Sequence, residues 1–183
     1  MKNILVFCGS AMGRNPIYQD TAFEVGRYLA VSGFRLVYGG GNVGLMGTAA
    51  NACLQHGGEV IGIIPHFLAK EVPNLQTTEL IFVDTMLERK QIMAQRSDAV
   101  ITLPGAYGTM DELFEELTAK QLGIHKRPIG LLNVNGFYDP LIQMLDNMTE
   151  EGFLKPENRR LLLVSNTVEN LIQQFDNQLI TIL

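Results

Sequence analysis

Six short apolar runs, at 3–7, 34–38, 60–64, 80–83, 99–103 and 129–132, are nearly continuous in Val, Ile, Leu and Phe. They lack the apolar–polar alternation of a strand with one wet face. Strands buried on both faces have this composition, and they occur where helices cover a parallel sheet. Longer amphipathic stretches separate the runs. They predict helices at 18–32, entered through Pro16 and closed by Gly33, and at 45–56, closed by Gly57-Gly58. Further helices are predicted at 86–96, 110–122, 139–150 and 167–179. No repeat, low-complexity tract or linker interrupts the alternation. It predicts one α/β domain over residues 1–183, a Rossmann-like, doubly wound parallel sheet flanked by helices.

Composition narrows the function classes. At 46% apolar and 18% charged residues the chain is globular rather than disordered. Its formal net charge is −5 with no basic stripe, which argues against a nucleic-acid partner. An anionic ligand would have to be held by a few local groups. No run of apolar residues is long enough for a membrane span, and the apolar start at 4–7 is too short for a signal peptide. Cys8 and Cys53 are expected as reduced, buried thiols of a cytoplasmic protein. His56, His66 and His125 lack metal-ligand spacing, so they are read as ordinary residues and no metal is expected.

In a doubly wound sheet, ligands bind beyond the carboxyl ends of the strands. Three loops lie there. Cys8-Gly9-Ser10-Ala11-Met12-Gly13 is small enough for a ligand to reach its backbone, although many βα turns are small for geometry alone. Gly39-Gly40-Gly41-Asn42-Val43-Gly44-Leu45-Met46-Gly47 holds five glycines in nine residues, more than a tight turn needs. Amides of Gly40, Gly41 and Gly44 can converge there on an anion. The spacing Gly39-x-Gly41-x-x-Gly44 also matches a dinucleotide fingerprint. It follows the second strand, however, and no acidic ribose ligand ends the next one, so NAD is a weak reading. The third loop is Pro104-Gly105-Ala106-Tyr107-Gly108-Thr109, opening into Met110-Asp111-Glu112. Gly105 and Gly108 permit close approach, and Thr109 is a candidate cap or phosphate ligand. Asp111 and Glu112 suit a first helical turn without any further role. Next to a phosphate, though, they need local cations, and Arg89-Lys90 are candidates that otherwise read as a solvated helix face. Met86, with Met12 and Tyr107, is a candidate lining for an apolar slot.

Together these motifs resemble the LONELY GUY (LOG) family, often labelled lysine decarboxylase-like. The family signature Pro-Gly-Gly-x-Gly-Thr-x-x-Glu stands here as Pro104 to Glu112. The resemblance runs in order through Phe7-Cys8-Gly9-Ser10, Val37-Tyr38-Gly39-Gly40-Gly41, Gly44-Leu45-Met46-Gly47 and Glu88-Arg89-Lys90. It continues through Ser97-Asp98-Ala99 and Gln121-Leu122-Gly123-Ile124-His125 to Gly130-Leu131-Leu132-Asn133-Val134. It implies a homodimer that hydrolyses the N-glycosidic bond of purine, cytokinin-type nucleoside 5′-monophosphates, with AMP accepted by some members, and that needs no cofactor. It implies Arg89 and Glu112 as the catalytic pair. Glu71, Lys90, Thr118 and the run Ala106, Tyr107, Gly108, Thr109, Asp111 would contact the nucleotide. Two positions depart from the pattern: Ala106 replaces the second glycine, and Leu87 stands where many relatives carry His.

In the hydrolase reading, Glu112 activates water or stabilises the oxocarbenium-like sugar, and Arg89 keeps Glu112 ionised. A carrier that binds a nucleotide or cofactor without turnover is the alternative; a carboxylate beside the anion argues for the enzyme. Decarboxylation of lysine fits poorly, because no lysine is placed as an isolated Schiff-base partner for pyridoxal phosphate.

Overall fold

Residue order dictates a strict alternation. Strand β1 (Asn3–Phe7) leads to helix α1 (Pro16–Val31), and β2 (Arg35–Tyr38) leads to α2 (Gly44–Gln55). β3 (Val60–Pro65), a short α3 (His66–Ala69), β4 (Glu79–Val83) and α4 (Met86–Gln95) follow. The second half runs β5 (Ala99–Thr102), α5 (Tyr107–Gln121), β6 (Ile129–Leu132), a 3-10 turn (Val134–Gly136), α6 (Asp139–Glu150), α7 (Pro156–Arg159), β7 (Leu162–Ser165) and α8 (Val168–Ile182). The structure, a computed structural model, describes residues 1–70 and 77–182.

All seven strands are parallel, in the order β4-β3-β2-β1-β5-β6-β7. The chain reverses direction across the sheet between β1 and β5, which opens a crevice at their carboxyl ends. One face of the sheet is covered by Ala22, Val25 and Leu29 of α1, Leu45 and Ala49 of α2, and Leu171 and Phe175 of α8. The opposite face is covered by Met93 of α4, Leu113 of α5 and Leu145 of α6. Burying each large aliphatic chain contributes about 1.5–3 kcal/mol. α1 and α2 touch backbone to backbone: a Cβ at Gly26 would lie 2.1 Å from Ala49 O. That contact explains a glycine in a helix interior, where it costs about 1 kcal/mol relative to alanine.

Local signals set the helix ends near the crevice. Asn15 Oδ1 accepts from Ile17 N–H (3.1 Å) and caps α1, whose first residue is the Pro16 predicted to open it. Thr85 Oγ1 accepts from Glu88 N–H (3.1 Å), and Glu88 accepts in turn from Asp84 N–H (2.9 Å). This reciprocal cap fixes the first turn of α4 and sends Arg89, four residues in, toward the sheet.

The seventh strand was not among the predicted ones. It is an edge strand of four residues with only Leu162 buried, and it gives a weak buried-strand signal. α5 begins at Tyr107 rather than Met110, because Ala106 takes the cap position with no side-chain hydrogen bond.

Candidate active site

The three loops meet at the crevice. Gly9 N–H donates to Pro104 O (3.0 Å) and Leu45 N–H donates to Gly9 O (3.1 Å), so the first loop is stitched to the other two. Gly44 adopts φ +60°, and a Cβ there would fall 2.2 Å from the Ser10 carbonyl carbon. Only glycine meets both demands. Together they enclose a cavity of about 500 Å³. Its polar border is Ser10, Arg89, Thr109, Asp111 and Glu112, with the backbone of Gly39, Gly41 and Gly108. Its apolar border is Val43, Met46, Ile64, Leu68 and Met86.

Arg89 is buried at 8% exposure. Its Nε donates to Ile63 O (3.2 Å) and its Nη2 to Gly39 O (2.8 Å), while Nη1 lies 3.8 Å from Met86 Sδ. Two backbone carbonyls thus hold the guanidinium with one edge toward the cavity. The identity of Gly39 follows, since a Cβ there would sit 1.7 Å from Nη2. Burial lowers the pKa of Arg89 and the charge of Glu112 opposes this. Arginine stays protonated regardless.

The third loop shapes the start of α5. A Cβ at Gly105 would meet Thr109 Oγ1 at 2.1 Å, so the glycine makes room for the buried threonine. Thr109 is not the predicted cap: it is the third residue of α5, and the cap is Ala106, at φ −110°. That φ suits any L residue, so alanine fits where relatives carry glycine. Met110 N–H reaches Ala106 O (3.0 Å), which leaves the amides of Tyr107, Gly108 and Thr109 at the open, positive end of the helix. A Cβ at Gly108 would meet nothing within 4 Å, so packing does not require glycine there. Its absent side chain keeps the cavity floor open.

Glu112 sits one turn further on, half-buried. Its carboxyl is pushed up from 4.5 to about 7. Burial is the largest cause; Arg89 and Lys90 lower the value, while Asp111 and Glu115 raise it. Arg89 thus lowers the carboxyl in the expected direction, but it does not hold it at the ordinary carboxylate value. The two groups form no ion pair within 4 Å, because the guanidinium is spent on carbonyls, and desolvation wins. Lys90 acts on Glu112 only through its charge. It pairs directly with Asp111 (3.1 Å) and Glu115, tying α4 to α5.

Comparison with known proteins places this geometry. Residues 46–175 match the family model described as possible lysine decarboxylase. The chain is 47% identical over 176 residues to the cytokinin riboside 5′-monophosphate phosphoribohydrolase LOG of Oryza sativa subsp. japonica, covering 96% of this chain and 73% of that one. The chain belongs to the LOG family. LOG7 of Arabidopsis thaliana, named for the same activity, is 43% identical over 96% of this chain and 81% of its own. Two solved structures share the fold. The molybdenum cofactor binding protein from Rippkaea orientalis matches with TM-score 0.71 at 24% identity, over 97% of each chain. The structural genomics target TM1055 matches with TM-score 0.74 at 24% identity, over 97% of this chain and 99% of that one.

Of the residues singled out from the sequence, the cavity gathers Ser10, Gly41, Met86, Arg89, Ala106, Gly108, Thr109, Asp111 and Glu112. Gly40, Gly44 and Gly105 shape its loops without bordering it. Tyr107 points outward at 94% exposure, and neither it nor Met12 lines the cavity, against expectation. An outward first-turn residue of a helix has nothing to pack on, so its aromatic ring stays in solvent. Lys90 faces away from the cavity. Thr118 lies on the outer side of α5, in an open groove with Met110, Phe114, Leu122 and Ile124, and is not brought to Glu112 within one chain. Glu71 lies outside the described residues. Reasoning from the sequence missed Val43, Met46, Ile64, Leu68 and Cys8. The first four lie just past, or inside, glycine-rich or strand segments already singled out. Cys8 is a free thiol whose pKa burial raises far beyond the range of a nucleophile at neutral pH.

Proposed function

We propose that the protein hydrolyses the N-glycosidic bond of cytokinin-type nucleoside 5′-monophosphates, releasing free base and ribose 5-phosphate, with AMP as a poorer substrate. One observation carries this reading: a half-buried carboxyl with a pKa of about 7, on the wall of a cavity that also presents an open helix N-terminus and a fixed guanidinium. The family's named activity agrees with it.

The 5′-phosphate takes the amides of Tyr107, Gly108 and Thr109, so remote binding energy positions the ribose above Glu112. Ionised Glu112 removes a proton from the attacking water as the water oxygen bonds to C1′ and the C1′–N bond breaks. The purine nitrogen that leaves C1′ gains a proton. Arg89 offers its cavity-facing edge to the base or phosphate as charge shifts. Val43, Met46, Ile64, Leu68 and Met86 give the base an apolar wall, which favours a prenylated adenine over adenine itself. A pure carrier would gain nothing from burying a carboxyl beside the phosphate.

Dimerisation goes with this reading. Phe114, Leu122 and Ile124, at 37%, 69% and 73% exposure, form an unpartnered strip on and beyond α5. A second copy covering it would bring Thr118 toward the partner's site. A cytoplasmic setting is consistent with two free, buried thiols. The reading is tested by chromatography after incubation with AMP and with N6-isopentenyl-AMP. Release of the prenylated base faster than adenine supports it. Binding of both without base release favours the carrier.

A further inference from the structure

A second cavity, of about 310 Å³, lies between α4 and α5 and shares one wall with the first: Glu112 borders both. Its charged and titratable lining is Lys90 from α4, Glu112, Glu115 and Glu116 from α5, and His125 and Arg127 from the loop after α5. Glu116 lies four residues beyond Glu112, on the same side of the helix. It is 7% exposed. Its Oε2 lies 3.2 Å from both His125 Nε2 and Arg127 Nη2, yet accepts no hydrogen bond. Nε of Arg127 is also buried without a hydrogen-bond partner among the described residues, and the His125 ring reaches only Glu116, through Oε2 and the backbone, in poor hydrogen-bond geometry. Arg127 is held by Nη1 donating to Ala94 O.

Buried polar atoms without partners are rare, and their concentration in one place indicates water. A polar cavity of this size holds several waters at about 30 Å³ each. Burial, then Arg127 and Lys120, push His125 down to about 4, so the ring is neutral near pH 7 and free to bond water. Gln91, an exposed residue of α4, also lines the chamber and gives it a border with solvent.

We propose that this chamber is a hydrated proton path behind Glu112, with Glu116 as its relay and with His125 and Arg127 holding Glu116 in position. The proposal rests on the hydrolase reading above. A nucleotide in the front cavity closes that side of Glu112, leaving the chamber as the route for its proton. The O–H bond of Glu112 breaks, the proton passes along chamber water, and an O–H bond forms on the Glu116 carboxylate. Glu116 then releases the proton past Gln91, while the departing base takes one proton from solvent. The cycle is neutral in charge and atoms.

The test is Glu116→Gln beside Glu116→Asp, with N6-isopentenyl-AMP as substrate across pH 5–9. Glu116→Gln should lower kcat on the order of tenfold, below the range for groups that act directly. KM should stay level and the solvent deuterium effect on kcat should rise. Glu116→Asp should restore most of the loss. An unchanged kcat and pH profile in an active Glu116→Gln protein overturns the relay alone. So does an equal loss in both variants that tracks a fall in Tm. Independently, a high-resolution crystal structure should show water linking Glu112 to Glu116, and a dry chamber overturns the path. Wild-type protein that releases no base from any nucleotide removes the hydrolase reading and the relay together.

Discussion

Replacing Glu112 with glutamine should stabilise the fold while removing its activity, and the two effects share one cause. In the folded chain this carboxyl sits at about 7 rather than 4.5, because burial opposes its charge more than Arg89 and Lys90 support it. Below pH 4.5 the group is protonated whether folded or not, and glutamine, nearly isosteric with the acid, changes little. Between pH 4.5 and 7 the unfolded chain has lost the proton and the folded chain keeps it, so wild-type stability falls as pH rises. Above pH 7 the loss is complete and amounts to about 3 kcal/mol. Glu112→Gln escapes it. For a domain of this size, that corresponds to roughly 6–12 °C in Tm. Thermal unfolding of both proteins at pH 5 and pH 8.5 measures the difference directly. The variant should gain at pH 8.5 and lose most of that advantage at pH 5, while kcat falls by about 10²–10⁴. Equal Tm values at pH 8.5, or a gain that does not depend on pH, would refute the claim that a buried charge is being held at a cost.

The same carboxyl sets the pH dependence: kcat/KM should fall as pH drops through about 7, since only the ionised form accepts a proton, and a profile flat from 5 to 8 argues against it. Gly39→Ala places a Cβ 1.7 Å from Arg89 Nη2 and must dislodge the guanidinium. Activity should drop on the order of 10²-fold, as expected of a displaced catalytic group, with circular dichroism unchanged. Gly108→Ala meets nothing within 4 Å, so the helix should gain about 0.5–1 kcal/mol, visible as a higher Tm. Its methyl group enters the phosphate end of the cavity, and KM should rise; an unchanged KM would separate the α5 amides from phosphate binding.

Much of this was legible in the sequence because the strands are buried on both faces and punctuated by glycine. Six strands and the six longer helices follow from that pattern. β7 escaped because an edge strand needs less apolar character, and α3 and α7 escaped because four residues carry no periodicity. The loops of the site were legible for a different reason: Gly39, Gly44 and Gly105 stand where a side chain would collide with Arg89, Ser10 or Thr109. What sequence could not carry was depth. Arg89 read as the charge that keeps Glu112 ionised, but backbone carbonyls claim the guanidinium and burial outweighs it at the carboxyl. Lys90 read as a nucleotide contact, and two surface acids occupy it. Glu116, one helical turn beyond Glu112, was not singled out from the sequence. Only packing reveals that His125 and Arg127 close around it.

The most direct measurement is a complete product balance with N6-isopentenyl-AMP, quantifying free base, ribose 5-phosphate, riboside and inorganic phosphate in one reaction. The site described here predicts free base and ribose 5-phosphate in equal amounts, abolished in Glu112→Gln. Riboside with inorganic phosphate, or the intact nucleotide, would contradict it.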